Sequence, residues 1–485
     1  MTVRNKTGPA SAGSKVAVIG GGLAGLAAAT ALVERGSRVE LYESRRKLGG
    51  RAASFRDPTT GELVDHCQHV GMACCTNLVD FCRRMGIADL FRRDRTLHFF
   101  APDGKRCDIG ATPLLPAPMH LLPSLLRLSY LSWSERLGIC RAMLRLARTS
   151  PNDDRATAGD WLREQRQSER AIERFWGPVI VSALGESVER ASLKYVRKVF
   201  VDGFLANRSA YEIDVPTVAL GELYGERLEA KLRELGATIT CDAPTKQIDV
   251  AADGRLRVEL HDGRTEEVDA VVLAVAWRKA AELLSPELRR RWPACERWQT
   301  LSAAPISGVH LWFDRELIDL PHAVLVGSLS QWMFNRARSA ERGTRSDAGV
   351  SQGEYYYQVV ISASYDLAGR DRASIVAQVV EDLRAVFPAA RGASLLRSKI
   401  VTEPEAVFSV GPGVDAVRPA QASPIAGLFV AGDWTATGWP ATMEGAVRSG
   451  YLAAEGVMQS FGRPERIVVA DLPRSLGARL LCGRS

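Results

Sequence analysis

The fold is decided by the sequence VAVIGGGLAGLAAA at residues 16–29. This stretch begins as a β-branched apolar run, turns on glycines and continues as alanine-rich sequence that favours a helix. Gly20, Gly22 and Gly25 match the G-x-G-x-x-G dinucleotide fingerprint, in which glycines permit a tight turn, backbone approach to a pyrophosphate and close helix–strand packing. Because a helix N-terminus carries unpaired N–H groups and partial positive charge, we predict that this turn binds phosphates.

An acidic residue follows the next predicted strand at the position expected for ribose binding. The strand at Arg38–Tyr42 leads into Glu43, which lies twenty-three residues after Gly20. In dinucleotide-binding folds, a carboxylate about 20 residues beyond the fingerprint hydrogen-bonds the ribose hydroxyls. The alternative is a solvated carboxylate at a strand end, but the fingerprint ahead of Glu43 favours the ribose role.

A second glycine pair follows in the sequence KLGGR at residues 47–51. Gly49 and Gly50 would allow another close approach of backbone to phosphate, and Arg51 would neutralise the phosphate charge. The alternative interpretation is an ordinary loop.

Length and composition describe a globular protein of more than one domain. The chain has 485 residues, which is too long for a single simple core. Its residues are 46% hydrophobic and 25% charged, as in an ordinary globular protein. No apolar run approaches the roughly twenty residues of a membrane-spanning helix, and the first fourteen residues lack the apolar core of a signal peptide. Nine cysteines without regular spacing favour a reducing cytoplasm. The net charge of +7 comes without a nucleic-acid-binding motif and favours an anionic membrane surface as partner.

Two histidines, His66 and His69, lie in the sequence LVDHCQHVG at residues 63–71, which we interpret as a strand or an extended loop. Residues three apart face opposite sides of a strand, and no further His or Cys cluster completes a metal site. We therefore predict no metal here, and a polar loop beside the cofactor instead.

Residues 113–150 are predicted to form a helical cap. A proline-rich start is followed by leucine-rich helical sequence that contains Tyr130, Trp133 and a single acid, Glu135. One interpretation is an interfacial region that lies in the plane of a membrane. The alternative is a cap whose leucines face the core and whose arginines face water. The arginines are Arg127, Arg136, Arg141, Arg145 and Arg148.

Nucleotide-domain character returns near the C-terminus. The sequence GLFVAGDW at residues 427–434 predicts a buried strand that ends in Gly432 and Asp433, and a loop then leads into a helix rich in small residues. Asp433 would accept a hydrogen bond from a ribityl hydroxyl or lie near the pyrophosphate. The helix N-terminus near Met443 would stabilise negative charge on a flavin ring.

Together these motifs resemble the superfamily of flavin-dependent amine oxidases and phytoene desaturases, which implies FAD as the cofactor. More narrowly, the sequences VDHCQHV at 64–70 and AGDWTATGWPATMEGAVRSG at 431–450 look like those of the hydroxysqualene dehydroxylase family. Cys67 and Trp439 depart from the pattern expected in that family, and either could alter the pocket. The cofactor-binding residues implied by the motifs are Gly20, Gly22, Leu23, Ala24, Gly25, Glu43, Ser44, Gly49, Gly50, Arg51, Gly432, Asp433, Ala441, Thr442, Met443, Glu444 and Ala446.

The narrower resemblance implies reductive removal of an allylic hydroxyl from the C30 isoprenoid hydroxysqualene, which gives squalene for hopanoid biosynthesis. This reaction needs an apolar cavity, exclusion of water and an acid near the hydroxyl. His69 is the candidate acid, with a structural hydrogen bond as its alternative role. No second G-x-G-x-x-G appears, so the electron donor stays open. The nearest rival function is oxidative desaturation of a carotenoid-type polyene. An amine oxidase and a non-catalytic flavin-binding protein are more distant rivals.

The predicted fold class is α/β: a Rossmann-like FAD-binding domain that is discontinuous in sequence, an α+β substrate domain, and a helical cap whose membrane-facing interpretation stays open. We expect a cytoplasmic protein that associates peripherally with the inner face of the cell membrane. The predicted boundaries are a flexible N-terminus at 1–14, FAD-binding segments at 15–112, 212–300 and 401–460, substrate and cap segments at 113–211 and 301–400, and a tail at 461–485.

Overall fold

The computed structural model describes residues 13–58, 60–150, 154–336 and 354–482. Residues 1–12 of the predicted N-terminal tail, and all but the first residue of a polar, arginine- and serine-rich loop that the sequence predicts at 336–353, lie outside these residues. The strands are β1 (Lys15–Ile19), β2 (Arg38–Tyr42), β3 (Ser54–Arg56), β4 (Leu63–Asp65), β5 (Gly71–Met72), β6 (Phe91–Asp94), β7 (Thr96–Phe100), β8 (Arg106–Gly110), β9 (Ile213–Pro216), β10 (Thr238–Thr240), β11 (Thr245–Val250), β12 (Leu256–Leu260), β13 (Thr265–Val268), β14 (Ala270–Leu273), β15 (Ala303–Phe313), β16 (His322–Leu325), β17 (Trp332–Asn335), β18 (Tyr355–Ser362), β19 (Leu395–Phe408) and β20 (Leu428–Val430).

The helices alternate with these strands and cover both large sheets. Three segments of the described residues adopt π-helical geometry, at Ile172–Trp176, Val201–Leu205 and Gly221–Glu226. The α-helices are α1 (Leu23–Val33), α2 (Thr76–Arg84), α3 (Leu122–Leu126), α4 (Trp133–Arg148), α5 (Ala158–Glu164), α6 (Glu169–Ala171), α7 (Gly177–Leu184), α8 (Leu193–Phe200), α9 (Arg227–Glu234), α10 (Trp277–Ala280), α11 (Pro286–Arg291), α12 (Arg372–Val386), α13 (Met443–Ser460) and α14 (Leu476–Cys482).

A five-stranded parallel sheet in the order β10-β2-β1-β14-β20 forms the dinucleotide-binding part. Helix α1 buries ten of its eleven residues, and this explains why its sequence is almost entirely small and apolar. It packs against α13, where a Cβ added at Gly450 would lie 2.2 Å from the carbonyl oxygen of Ala24. The predicted α/β class is therefore confirmed.

The second large sheet is mixed and has seven strands in the order β19-β15-β18-β17-β16-β7-β8. One face packs on α12, and the other packs on the cap helices. Strands β7 and β8 fall inside the predicted FAD-binding segment 15–112, but β7 pairs in parallel with β16, with Phe99 opposite Val324. Strand β19 likewise runs through the predicted boundary at residue 400, because it pairs along nearly the whole of β15.

One predicted helix is shorter in the structure. The sequence of residues 76–93 predicts a helix opened by a Thr76/Asn77 cap, but α2 ends at Arg84, since Gly86 takes a left-handed φ of +69° and the chain then enters β6. In the cap, α4 begins at a capping box formed by Ser132 and Glu135. No helix among the described residues is long and apolar enough to cross a membrane.

Candidate flavin site

The three glycines of the fingerprint differ in why each position requires glycine. Gly20 has a φ of +108°, and a Cβ added there would lie 2.6 Å from the carbonyl oxygen of Ala274. A Cβ on Gly25 would lie 1.9 Å from the carbonyl oxygen of Gly20, so helix and strand pack as the fingerprint requires. Gly22 is unlike both, because the nearest atom to its added Cβ is the Cα of Gly50 at 3.9 Å. The space in front of Gly22 is therefore free for a ligand, and it opens at the N-terminus of α1.

The second glycine loop closes this space from the other side. The Gly49 N–H donates to the carbonyl oxygen of Gly21 at 2.9 Å. Gly50 has a φ of +60°, and a Cβ there would lie 3.0 Å from the Cα of Gly22. Two backbone turns without side chains thus face each other, which is the surface that a pyrophosphate needs.

Glu43 lies at the edge of the same turn, and its carboxylate is tied to it. One oxygen accepts the Gly21 N–H at 2.6 Å, and the other accepts the Arg45 N–H at 2.8 Å. The side chain is buried, so Glu43 is not a solvated charge at a strand end. Ser44 beside it is exposed. The ribose role remains a prediction, and this position allows it, because a carboxylate can accept further bonds on its remaining lone pairs.

We expect Glu43→Ala to weaken FAD binding by about tenfold to a hundredfold, because a hydrogen bond to a charged acceptor contributes about 1.5–3 kcal/mol. The measurement is titration of the apoprotein with FAD. Glu234→Ala, at an exposed carboxylate, is the matched control and should bind as the parent does. Equal affinity of Glu43→Ala and the control would assign Glu43 a structural role alone.

The C-terminal loop is joined to the glycine loops by an ion pair. The Arg51 guanidinium donates to Asp433 at 2.6 Å and to the carbonyl oxygen of Ala406 at 2.7 Å. Asp433 is buried, whereas Arg51 keeps 38% of its side chain exposed. Gly432 N–H donates to Ser449 on α13 at 2.7 Å, which fixes the loop to that helix. The structure thus places Arg51 on Asp433, and a phosphate contact of Arg51 remains a prediction.

At the start of α13, Thr442 is the N-cap and accepts the Gly445 N–H at 3.1 Å. Ala441 is buried, while Met443 and Ala446 are partly exposed. Glu444 departs from the expectation. Its buried carboxylate accepts the side-chain amide of Asn77 at 2.9 Å and the Leu78 N–H at 2.8 Å, and burial raises its pKa. The side chain of Glu444 therefore anchors α2, which leaves its backbone at the helix N-terminus as the part that can face a flavin.

The loop that carries His69 lies between these motifs and the large sheet. Asp65 anchors it, since one carboxylate oxygen accepts the Leu220 N–H at 2.8 Å and the other accepts Arg336 at 2.9 Å. On the sheet side, a Cβ added at Gly308 of β15 would lie 2.8 Å from the His66 carbonyl oxygen. The loop is thus held by both halves of the molecule.

His69 itself is partly exposed, and its tautomer is set by the backbone. Its Nδ1 lies 2.9 Å from the Cys67 carbonyl oxygen, so Nδ1 carries the proton and donates. Burial lowers the pKa of His69, and the charge of Arg51 adds to this effect. The ring is consequently neutral at neutral pH, with Nε2 available as an acceptor. No group of three or more metal-ligating side chains is assembled among the described residues.

Two buried polar centres beside the site were not predicted from the sequence. His310 on β15 is fully buried, with its Nδ1 2.7 Å from the Tyr356 hydroxyl, and burial lowers its pKa to about 3. Strand alternation was the available signal, because it places His310 on the same face as Gly308, which meets the His66 carbonyl.

Arg418 is the second unpredicted centre. Its side chain is wholly buried and gathers the C-terminal loop, since its Nη2 donates to the carbonyl oxygens of Asp433 at 3.0 Å and Trp439 at 2.8 Å, and also to that of Thr435. Asp415 balances its charge at 3.1 Å. No sequence motif marks this residue, because its main partners are backbone carbonyls.

With this geometry in place, comparison with known proteins identifies the family. The model of the family described as flavin containing amine oxidoreductase matches residues 23–458, so the chain belongs to that family. FAD is its cofactor. The two facing glycine turns fit the pyrophosphate, because added side chains would fill the space between them.

Curated relatives of this chain include carotenoid enzymes. A 15-cis-phytoene desaturase of Synechococcus elongatus is 27% identical over 93% of this chain and 98% of its own length. A zeta-carotene desaturase of Synechocystis sp. is 25% identical over 94% of this chain and 100% of its own length.

Solved structures share the fold at lower identity. An oxidoreductase from Methanosarcina mazei has a TM-score of 0.67 at 18% identity and covers 92% of this chain and 100% of its own. Cyclohexylamine oxidase from Brevibacterium oxydans has a TM-score of 0.67 at 17% identity, with coverage of 93% and 100%. Both describe the architecture of this chain and do not define its substrate.

Proposed function

We propose that this protein is a hydroxysqualene dehydroxylase, which replaces the allylic hydroxyl of hydroxysqualene by hydrogen and releases squalene and water. The observation that carries the proposal is the convergence of the two stretches that resemble this family. Residues 64–70 and 431–450 are far apart in sequence, yet both approach Arg51. Its guanidinium pairs with Asp433 at 2.6 Å, and its charge contributes to the lowered pKa of His69.

Partly exposed apolar side chains support the proposal of an apolar space for a long hydrocarbon substrate. These side chains pack against the core without being fully buried, and apolar side chains predominate in the lining of small-molecule sites. They come from the loop before β5 and β5 itself, from two π-helical segments and from β17 and β18: Val70, Met72, Phe175, Phe204, Trp332 and Val360.

The chemistry needs a proton for the departing hydroxyl and a hydride for the carbon, so that one C–O bond is replaced by one C–H bond and water leaves. Reduced FAD, when bound, supplies the hydride. The protein has to hold the carbinol carbon in place, keep water out of the apolar space and position an acid at the hydroxyl oxygen. His69 is the proposed acid, and its Nε2 is the atom left free for the substrate.

The pH dependence follows from the lowered pKa of His69. Only protonated His69 can act as the acid, and above its pKa that form declines tenfold with each pH unit. We therefore expect kcat/KM to fall as pH rises through 7, by about tenfold per unit. His69→Gln should lower the rate by about a hundredfold or more and flatten this slope. If His69→Gln kept the pH slope of the parent, the proton donor would be another group.

A carotenoid desaturase is the second candidate, favoured by the desaturases among the curated relatives. The two reactions run electrons in opposite directions, so product analysis separates them. Reduced holoprotein is incubated with hydroxysqualene without oxygen, and oxidised holoprotein is incubated with phytoene and a quinone. Squalene in the first reaction and unchanged phytoene in the second are the expected results. Dehydrogenated phytoene without squalene would replace the proposal by its rival.

A further inference from the structure

Large apolar side chains are exposed on neighbouring segments at the outer side of the cap. Leu114 and Met119 lie in the loop before α3, Trp133, Leu137 and Leu144 on α4, and Leu476 and Leu480 on α14. Leu114 is 99% exposed and Leu480 is 90% exposed. We call the outward surface of residues 113–119, α4 and α14 the docking face. Contiguous exposed apolar surface of this kind marks a binding surface in soluble proteins.

Helix α14 packs against α4 and is fixed to the loop at residues 113–119, so this exposure is built into the fold. The Ser475 hydroxyl donates to the Ala117 carbonyl oxygen at 2.6 Å, and the Ser475 N–H donates to the Ala206 carbonyl oxygen at 2.9 Å. Gly477 lies against the same loop, where an added Cβ would be 3.1 Å from the Ala117 oxygen. Ala478 is fully buried. Helix α14 is thus held by one side, and its two exposed leucines point away from the protein.

The outward side of α4 alternates apolar and cationic residues at helical spacing. Trp133, Leu137, Arg141, Leu144 and Arg148 follow one another at intervals of three or four and are all exposed. Residues at this spacing share one side of a helix. The opposite side is buried through Ile139, Ala142 and Leu146.

The charges on the docking face have one sign. Arg141 and Arg148 of α4 make no ion pair with any described acidic residue. The single acid of this region, Glu135, faces inward to the capping box and to Arg170 at 2.6 Å. Arg479 on α14 is also exposed and adds a further positive charge to the docking face. Apolar side chains flanked by unpaired cations match the acyl boundary and the phosphates of an anionic membrane.

We propose that the docking face binds the surface of an anionic lipid bilayer, with the cap loop, α4 and α14 inserted together. A second copy of this chain fits less well, because two such faces would bring unpaired arginines against each other. The inference rests on exposure and charge and does not depend on which reaction the site performs.

A series of side-chain contacts connects the start of α14 with the C-terminal flavin loop. Arg474, just before α14, lies 3.5 Å from Asp202, which accepts Lys198 at 3.0 Å. The ammonium group of Lys198 lies 4.2 Å from the ring centre of Trp439 in the C-terminal flavin loop.

The test is sedimentation of holoprotein with vesicles of phosphatidylglycerol and phosphatidylcholine, and with vesicles of phosphatidylcholine alone. We expect binding to the anionic vesicles that weakens with salt, since exposed charges are screened. The double variant Arg141→Glu/Arg148→Glu should bind at least about tenfold more weakly, because each basic residue near an anionic surface contributes about fivefold and two are removed. Leu476→Ser/Leu480→Ser should also reduce binding, because it removes the apolar part of the face.

Leu396→Ser, at an exposed leucine on β19, and Arg257→Glu, at an exposed arginine on β12, are the matched controls. They should bind as the parent does. Equal FAD content and melting temperature in all variants would exclude misfolding, and the substituted side chains are all exposed. The proposal is overturned if the parent fails to bind anionic vesicles, or if the double variants bind like the controls. It is also overturned if light scattering finds a dimer that the leucine variant abolishes.

Discussion

Gly25→Ala is expected to abolish recovery of holoprotein. In an ordinary helix this change stabilises, because alanine has the higher helix propensity by about 1 kcal/mol. Here the new Cβ would lie 1.9 Å from the Gly20 carbonyl oxygen. Gly20 has little room to retreat, since its N–H donates to the Tyr42 carbonyl oxygen at 2.8 Å and its φ of +108° suits glycine alone. The measurement is the yield of soluble protein and its ratio of FAD to polypeptide.

Two further glycine variants separate loss of the fold from loss of the cofactor. Gly138→Ala in α4 has its nearest neighbour at 3.6 Å, so it should keep FAD and show the ordinary helix stabilisation. Gly22→Ala should fold, because Gly22 has an extended backbone with a φ of −77° and 3.9 Å of clearance. Its methyl group would enter the space for the pyrophosphate, so FAD should bind at least about tenfold more weakly. Full FAD occupancy in Gly25→Ala, or parental affinity in Gly22→Ala, would contradict the assignment of this turn.

Arg418→Leu should destabilise the holoprotein by about 3–5 kcal/mol, because it leaves buried carbonyl oxygens without their donor and removes one of the partners of Asp415. The carbonyl oxygens belong to Asp433, Thr435 and Trp439, so the flavin loop should also lose its shape. Urea unfolding measures the first effect, and FAD titration measures the second.

Arg418→Lys should recover part of the stability, because a single ammonium group reaches fewer of the carbonyls than a guanidinium fork does. Arg257→Leu, at an arginine with 46% of its side chain exposed, is the control and should change little. If Arg418→Leu matched this control in both measurements, Arg418 would have no part in organising the loop.

Local sequence was sufficient for the dinucleotide-binding part. β1, α1 and β2 are contiguous, and their glycines, small residues and the acid at Glu43 follow from one strand–turn–helix unit. Their prediction needed no knowledge of distant partners. The same holds for the meander of β11, β12 and β13. Asp253-Gly254 and Asp262-Gly263 are hairpin-turn sequences that predict this meander, and both glycines have positive φ in the structure.

The membership of β7 and β8 in the large sheet could not be read in this way. Their alternating sequence is compatible with either sheet, and the choice depends on the pairing of Phe99 with Val324 more than two hundred residues later. The same limit applies to Glu444 and Arg418. Glu444 lies in a motif that resembles a cofactor contact, yet its carboxylate binds Asn77 and Leu78 on α2. Arg418 binds main-chain carbonyls, which carry no sequence signature.

The most direct test of the proposed reaction uses the colour of the flavin as its readout. Holoprotein is reduced without oxygen until it is colourless, and hydroxysqualene is then added in vesicles. The proposal predicts that the yellow colour returns and that one squalene forms for each flavin that becomes oxidised. Persistence of the colourless state would contradict the proposal. If phytoene then bleached a separate sample of oxidised holoprotein, the protein would be a desaturase.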